Sequence, residues 1–141
     1  MCFKVTFDRF VSIAAETQGR GTDEVEATIS RLKAEAALNA PFGGPDEFVL
    51  YSDPLERAAL CCAAVISERP LPQDNKRVAY KCMEEMLVRY PWAQFEADRN
   101  EIESKLDDLD AEKIDADQFV FWIRAEAGLA AWLRYQLRPT A

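Results

Sequence analysis

Apolar residues recur at helical spacing along most of the chain, and this pattern predicts a mostly α protein. The first predicted helix covers residues 8–18, and the glycines Gly19 and Gly21 end it. Thr22 is a candidate N-cap for a second helix, which should end before Pro41. The apolar stripe predicted for this second helix consists of Val25, Ile29, Leu32 and Ala36.

The middle of the chain contains the most apolar predicted helix. Asp53 followed by Pro54 is typical of an N-cap and a first helical residue. The positions that follow are apolar on nearly every side, which predicts a helix in the centre of the fold. Before it, residues 42–51 combine a Gly-Pro turn with the strand-like stretch 48–51, and we expect a loop or a small β-hairpin there.

Further helices are predicted in the second half of the chain. One begins near Asn75, ends before Pro91 and carries an apolar face. Asp115 and Gln118 have the spacing of a capping box, which predicts the start of another helix. A short last helix is predicted after Gly128, because glycine is a common helix breaker.

Length and charge narrow the classes of protein that this chain can represent. Its 141 residues fit one domain, 1–141, and the net charge of −8 argues against binding to nucleic acid or to an anionic membrane. The apolar runs are too short to cross a bilayer and the start does not have the pattern of a signal peptide, so we expect a cytoplasmic protein. Residues 96–117 hold ten acidic and three basic residues, which predicts a solvated surface or, alternatively, a partner-binding acidic face.

The chain contains no histidine, and this excludes several kinds of chemistry. Catalysis by Ser-His-Asp or Cys-His, zinc binding by histidine and an imidazole base are all ruled out. The four cysteines have no C-x-x-C spacing, and we expect small buried side chains in a reducing compartment.

The loop before the Asn75 helix is the one segment that suggests anion binding. The unpaired N–H groups of a helix start and the helix dipole both favour an anion. Arg69, Lys76, Arg77 and Lys81 add four positive charges near a single carboxylate, that of Asp74. Arginine and asparagine side chains can donate hydrogen bonds to phosphate oxygens. The alternative is an ordinary loop whose basic side chains pair with the acidic surface.

The same loop resembles a known signature. The segment Arg69-Pro70-Leu71-Pro72-Gln73-Asp74-Asn75-Lys76-Arg77 is similar to the Fic/Doc family motif His-Pro-Phe-x-Asp-Gly-Asn-Lys-Arg. Upstream, Phe42-Gly43-Gly44, and downstream, Ala130-Ala131-Trp132-Leu133-Arg134, resemble the Doc (death-on-curing) branch, whose members are toxins paired with a small antitoxin. The resemblance implies a compact helical bundle with a short β-hairpin flap. It also implies ATP or a related nucleotide with Mg²⁺, and transfer of AMP or phosphate to a protein Ser, Thr or Tyr hydroxyl.

The resemblance implies a role for each matching residue. Asn75 and Arg77 would contact the nucleotide phosphates, with Lys76 beside them. Arg69, which replaces the family's histidine, would add a fixed positive charge at the phosphate. The flap that aligns the target protein would contain Phe42, Gly43 and Gly44. Asp74 would be the candidate ligand for Mg²⁺.

Two departures from the motif affect the catalytic half of the signature. Arg69 takes the place of the catalytic histidine, and arginine stays protonated, so it cannot act as a general base. The loss of such a base typically costs about 10²–10⁴-fold in rate. The acidic residue of the family falls at Gln73 and its glycine at Asp74, so the carboxylate has moved by one position.

These observations lead us to expect a Doc-like, toxin-related protein with a phosphate-binding loop and an impaired transferase activity. It would act through a protein target or an antitoxin-like partner, in an oligomeric state that the sequence leaves open. One alternative is an active transferase in which a nearby carboxylate, that of Glu68 or Asp74, replaces the histidine as the base. The other is a non-enzymatic helical interaction domain.

Overall fold

The computed structural model describes the backbone of residues 3–42, 53–90 and 97–136, and the side chains of these ranges up to residue 126. The described residues form helices and connecting turns, with no strand among them, so the predicted mostly α class is confirmed. The hairpin predicted at 42–51 lies outside the described residues except for Phe42. The helices are α1 Phe7–Gln18, α2 Thr22–Glu26, α3 Arg31–Asn39, α4 Pro54–Glu68, α5 Asn75–Leu87, α6 Arg99–Asp110 and α7 Ala116–Gln136, with a 3-10 turn at Ala40–Phe42.

Helix α4 occupies the centre of the fold, as its apolar sequence predicts. It packs against α3, α5, α6 and α7. Its start is fixed as expected, because the Asp53 carboxylate accepts a hydrogen bond of 2.7 Å from the Leu55 amide and Pro54 follows the cap. Arg124 of α7 reinforces this end with ion pairs of 3.0 Å to Asp53 and 2.7 Å to Glu56. The buried side chains of α4 are Leu55, Ala58, Ala59, Cys61, Cys62, Ala63, Val65 and Ile66.

Helix α1 agrees with its prediction to within one residue. Thr6 is the N-cap, and its hydroxyl accepts a hydrogen bond from the Arg9 amide. Gly19 ends the helix at φ 65°, in the left-handed region that glycine adopts without a steric penalty. The apolar face of α1, which includes Phe10, is buried against α5 and α3.

The single helix predicted from Thr22 towards Pro41 is wrong, because the chain breaks it into α2 and α3. Gly21 is the N-cap of α2, and Ser30 opens α3 by accepting a hydrogen bond from the Lys33 amide. Between the two helices the Thr28 hydroxyl donates to a backbone carbonyl at 2.7 Å, and the Ser30 amide donates to the Pro70 carbonyl at 2.9 Å. Short hydroxyl side chains that bond to nearby backbone compete with a continuous helix.

The break also changes which face of the second segment is buried. Of the predicted stripe, Val25 is buried, but Leu32 is 83% exposed and Ala36 is exposed. The buried residues of α3 are Ala34, Ala37 and Leu38. The turn between α2 and α3 rotates the later residues relative to the earlier ones, so a stripe drawn through one ideal helix fails.

Helix α7 is longer than predicted. The Asp115–Gln118 capping box forms as expected, with both reciprocal hydrogen bonds at 2.8 Å. The separate last helix predicted after Gly128 is wrong, since α7 continues through it to Gln136. One internal glycine costs a helix about 1 kcal/mol relative to alanine, which buried anchors such as Phe119 and Ile123 outweigh. None of the described helices is both long and apolar enough to cross a membrane.

Candidate functional site

The loop between α4 and α5 is fixed to the body of the protein at several points. Arg69 ends α4 in the left-handed conformation, with φ 51°, and its amide donates to the Val65 carbonyl at 3.0 Å. Pro70 accepts the hydrogen bond from the Ser30 amide, and the next residue, Leu71, is buried. The loop therefore has a defined shape before any ligand binds.

Asn75, the first residue of α5, stabilises this loop with its side chain. Its side-chain oxygen accepts from the Leu71 amide at 3.0 Å, and its side-chain nitrogen donates to the Leu71 carbonyl at 2.8 Å. Both polar atoms of the half-buried side chain are thus engaged within the loop. The resemblance implies a phosphate contact for Asn75, and in this structure one of the two N–H donors of its side-chain amide bonds to the Leu71 carbonyl.

We expect Asn75→Ala to lower the free energy of unfolding by about 2 kcal/mol, because it leaves the Leu71 amide and carbonyl without their partner. Chemical denaturation followed by circular dichroism measures this change. Asn100→Ala is the matched control, since Asn100 is exposed on α6 and the change should be close to zero. Equal effects of the two substitutions would contradict the stabilising role of Asn75.

The start of α5 lacks a side-chain cap. Asp74 is the N-cap at φ 66°, and its carboxylate makes no hydrogen bond to the amides of the first turn. The carboxylate instead lies 3.6 Å from the Arg77 guanidinium. Left-handed backbone favours glycine and is tolerated by aspartate. Asp74 stands at the position where the Fic/Doc motif has glycine, a residue that adopts this backbone without a steric penalty.

The basic side chains of the loop differ in how firmly they are held. Lys76 makes a 2.7 Å ion pair with Asp107 of α6, and this hydrogen bond raises the pKa of the Lys76 ammonium. Arg77 is held loosely, with its two guanidinium contacts at 3.6 Å to Asp74 and 3.4 Å to the Thr17 carbonyl. Arg77 is also 67% exposed.

Arg69 points away from the start of α5. Its guanidinium donates to the Asp110 carbonyl at 2.8 Å and pairs with the Asp110 carboxylate at 3.1 Å. A cation at this position complements the carbonyl end of the α6 dipole. The structure therefore brings Lys76 and Arg77 together and directs Arg69 to the end of α6. The contacts of Lys76 and Arg69 are those of the alternative interpretation, in which the loop pairs with the acidic surface.

The residues that align with the catalytic half of the motif differ in chemistry from those of the family. Arg69 occupies the histidine position and stays protonated, so it cannot remove a proton from a hydroxyl. The candidate magnesium ligand, Asp74, faces the Arg77 guanidinium, and no cluster of three or more potential metal ligands occurs in the described ranges. These side chains do not fit a preformed magnesium site. Glu68 is exposed at the end of α4.

The segment predicted to form a flap lies outside the described residues except for Phe42. Phe42 ends the 3-10 turn after α3, half-buried, with the Arg57 guanidinium 5.0 Å from its ring centre. Gly43 and Gly44 lie outside the described residues. The predicted alignment of a target protein by these three residues stays a prediction.

A groove between α5 and α6, close to the loop, did not emerge from the sequence motifs. Its volume is about 800 Å³. Lys76 and Arg77 contribute to one part of it, and Tyr80, Ile102 and Leu106 supply apolar surface. The spacing of Ile102, Leu106 and Leu109 is typical of an amphipathic helix and could have revealed α6. The acidic composition of residues 96–117 led instead to the prediction of a solvated surface.

Comparison with known proteins does not assign the chain to a family. No protein-family model, no curated protein and no solved structure matches it. The Fic/Doc resemblance depends on residues 69–77 and on the weaker similarities around them.

Proposed function

We propose that this protein is Doc-like, binds the phosphates of a nucleotide at the start of α5, and acts through a protein partner rather than by transferring a group. The observation that carries the proposal is the exposed, loosely held Arg77 beside a helix start without a side-chain cap. The left-handed backbone of Asp74 supports the alignment with the family motif.

The electrostatics favour an anion at this position. The first-turn amides and the α5 dipole attract negative charge. Arg77 can bind phosphate in a bidentate manner through two charge-assisted hydrogen bonds. Arg77 is 67% exposed, and its present contacts with Asp74 and the Thr17 carbonyl are long, at 3.6 Å and 3.4 Å. A phosphate can therefore take the place of these long contacts.

Arg69 is the reason to propose binding without transfer. A protein hydroxyl needs a base to become a nucleophile, and a guanidinium does not accept a proton. The Arg69 guanidinium is also held at the end of α6 by Asp110. The fixed positive charge can strengthen anion binding nearby while it supplies no acid–base chemistry.

Replacing Arg77 with alanine should weaken ATP binding by about ten- to hundredfold, the usual value of a hydrogen bond to a charged group. Isothermal titration calorimetry with ATP, with and without Mg²⁺, measures the effect. Arg31→Ala is the matched control, because Arg31 is 69% exposed, pairs with Glu35 and lies on α3. The proposal fails if the wild-type protein binds no ATP at millimolar concentration, or if both substitutions weaken binding equally.

A second candidate function is that of a non-enzymatic helical interaction domain. The observation in its favour is that Lys76 and Arg69 already pair with Asp107 and Asp110, so these cations serve to hold α6. Absence of ATP binding in the titration would favour this candidate. Incubation with labelled ATP and cell extract tests the active-transferase alternative, since a labelled protein that is lost with Arg77→Ala would show that transfer occurs.

A further inference from the structure

We propose that the groove between α5 and α6 binds the nucleoside end of the same nucleotide, with its base against Tyr80 and its phosphates at Lys76 and Arg77. This inference rests on the proposed function and assigns the site for the rest of the ligand. The volume of the groove, about 800 Å³, lies within the range of roughly 300–1,000 Å³ found for small-molecule sites.

The end of the groove at the start of α5 carries Lys76 and Arg77, while Lys81 and Arg99 pair with Glu84 and Glu103 elsewhere in the lining. Lys76 and Arg77 lie at the start of α5, beside its uncapped amides. The lining includes four basic side chains and three acidic ones, so the groove is net positive in a chain of net charge −8. The basic side chains are Lys76, Arg77, Lys81 and Arg99, and the acidic ones are Glu84, Glu103 and Asp107.

The apolar part of the groove lies at a suitable distance from the basic end. Tyr80 follows Lys76 by four residues, so both lie on the same side of α5, about 6 Å apart along its axis. This separation suits a ribose between a phosphate and a base. Ile102 and Leu106 of α6 line the groove together with Tyr80. An aromatic ring in such a setting can stack on a base whatever its identity.

The half-buried state of Tyr80 suits this role. Burial raises the pKa of its phenol, and the nearby Glu84 carboxylate raises it further. The hydroxyl therefore stays neutral at physiological pH. The Tyr80 ring is therefore an uncharged surface near the basic end of the groove, which Lys76 and Arg77 form. A ligand that contains only phosphate would contact the basic end, whereas a nucleotide would contact both the basic end and the ring.

The test compares ATP with inorganic tripolyphosphate on the full chain by calorimetry. If a base stacks in the groove, ATP should bind about tenfold more tightly than tripolyphosphate. Equal affinities would overturn the inference and leave the proposed phosphate site intact. Failure of both ligands to bind would overturn the proposed function itself, so the two failures are distinguishable.

Variants of Tyr80 then locate the base. Tyr80→Ala should bring the ATP and tripolyphosphate affinities to within about twofold of each other, whereas Tyr80→Phe should keep the tenfold difference because it retains the ring. Phe121→Ala is the control, since Phe121 is an exposed aromatic outside the groove. A preference for ATP that survives in a folded Tyr80→Ala variant would overturn the placement. If thermal melting shows that this variant is unfolded, the wild-type ratio and Tyr80→Phe still decide.

Discussion

Replacing Phe119 with alanine should lower the free energy of unfolding by about 3–5 kcal/mol, which is typical of a large aromatic side chain removed from a core. Phe119 is 1% exposed and anchors α7 against the central part of the fold. Its ring also lies 6.2 Å from the ring of Trp122, a contact that the substitution removes. Urea denaturation followed by circular dichroism measures the loss.

Phe121→Ala provides the control within the same helix. Phe121 is 75% exposed only two residues away, and its removal should change the free energy of unfolding by less than about 0.5 kcal/mol. Both variants remove the same atoms from helical positions, so their difference isolates burial. A larger effect at Phe121 than at Phe119 would mean that α7 presents its opposite face to α4.

Raising the pH from 8 to 10 should destabilise the protein by about 4 kcal/mol through its buried thiols. Burial raises the pKa of Cys61 from 9.0 to about 12, and it raises the pKa values of Cys62 and Cys82 well above 9.0. The folded state therefore keeps these protons where the unfolded chain releases them. The contribution of the protonated thiols to stability is fully present below pH 9, and it is lost as the pH rises above 9.

The size of this effect follows from proton linkage. A thiol that titrates at pH 9 only when unfolded contributes about 1.4 kcal/mol of destabilisation at pH 10, and three such thiols contribute about three times as much. Urea denaturation at several pH values between 8 and 10 measures the slope. The range stops there because the raised pKa values of Tyr80 and Lys76 act in the same direction, that of Tyr80 from near pH 10 and that of Lys76 at higher pH.

Cys82→Ala separates the thiols from other groups. The substitution itself lowers the free energy of unfolding by the same amount at every pH. The loss of stability between pH 8 and 10 should, however, shrink by about one third. A slope that does not change in this variant would show that the thiols are not responsible. The burial predicted for the cysteines is confirmed for Cys61, Cys62 and Cys82, while Cys2 lies outside the described residues.

Some features of the proposed site follow from the residue types in the sequence, and others depend on contacts in the structure. The residue types of the loop are enough to suggest an anion at the start of α5, because helix starts and arginine favour phosphate wherever they occur. The sequence could not show that Asn75 bonds to Leu71 or that Arg69 reaches Asp110, since these contacts depend on the path of the backbone. The α5–α6 groove likewise exists only because two distant segments pack together.

The sequence by itself determined the features that depend on near neighbours in the chain. The N-cap at Asp53, the Asp115–Gln118 capping box and the central place of α4 all follow from short-range hydrogen bonds or from composition. Tertiary structure decided the direction of Arg69 and the groove between α5 and α6, because both need residues from separate helices to meet. At the break between α2 and α3, the distant contact from the Ser30 amide to Pro70 adds to the local hydrogen bonds of Thr28 and Ser30. At Gly128 a local penalty of about 1 kcal/mol is too small to end α7.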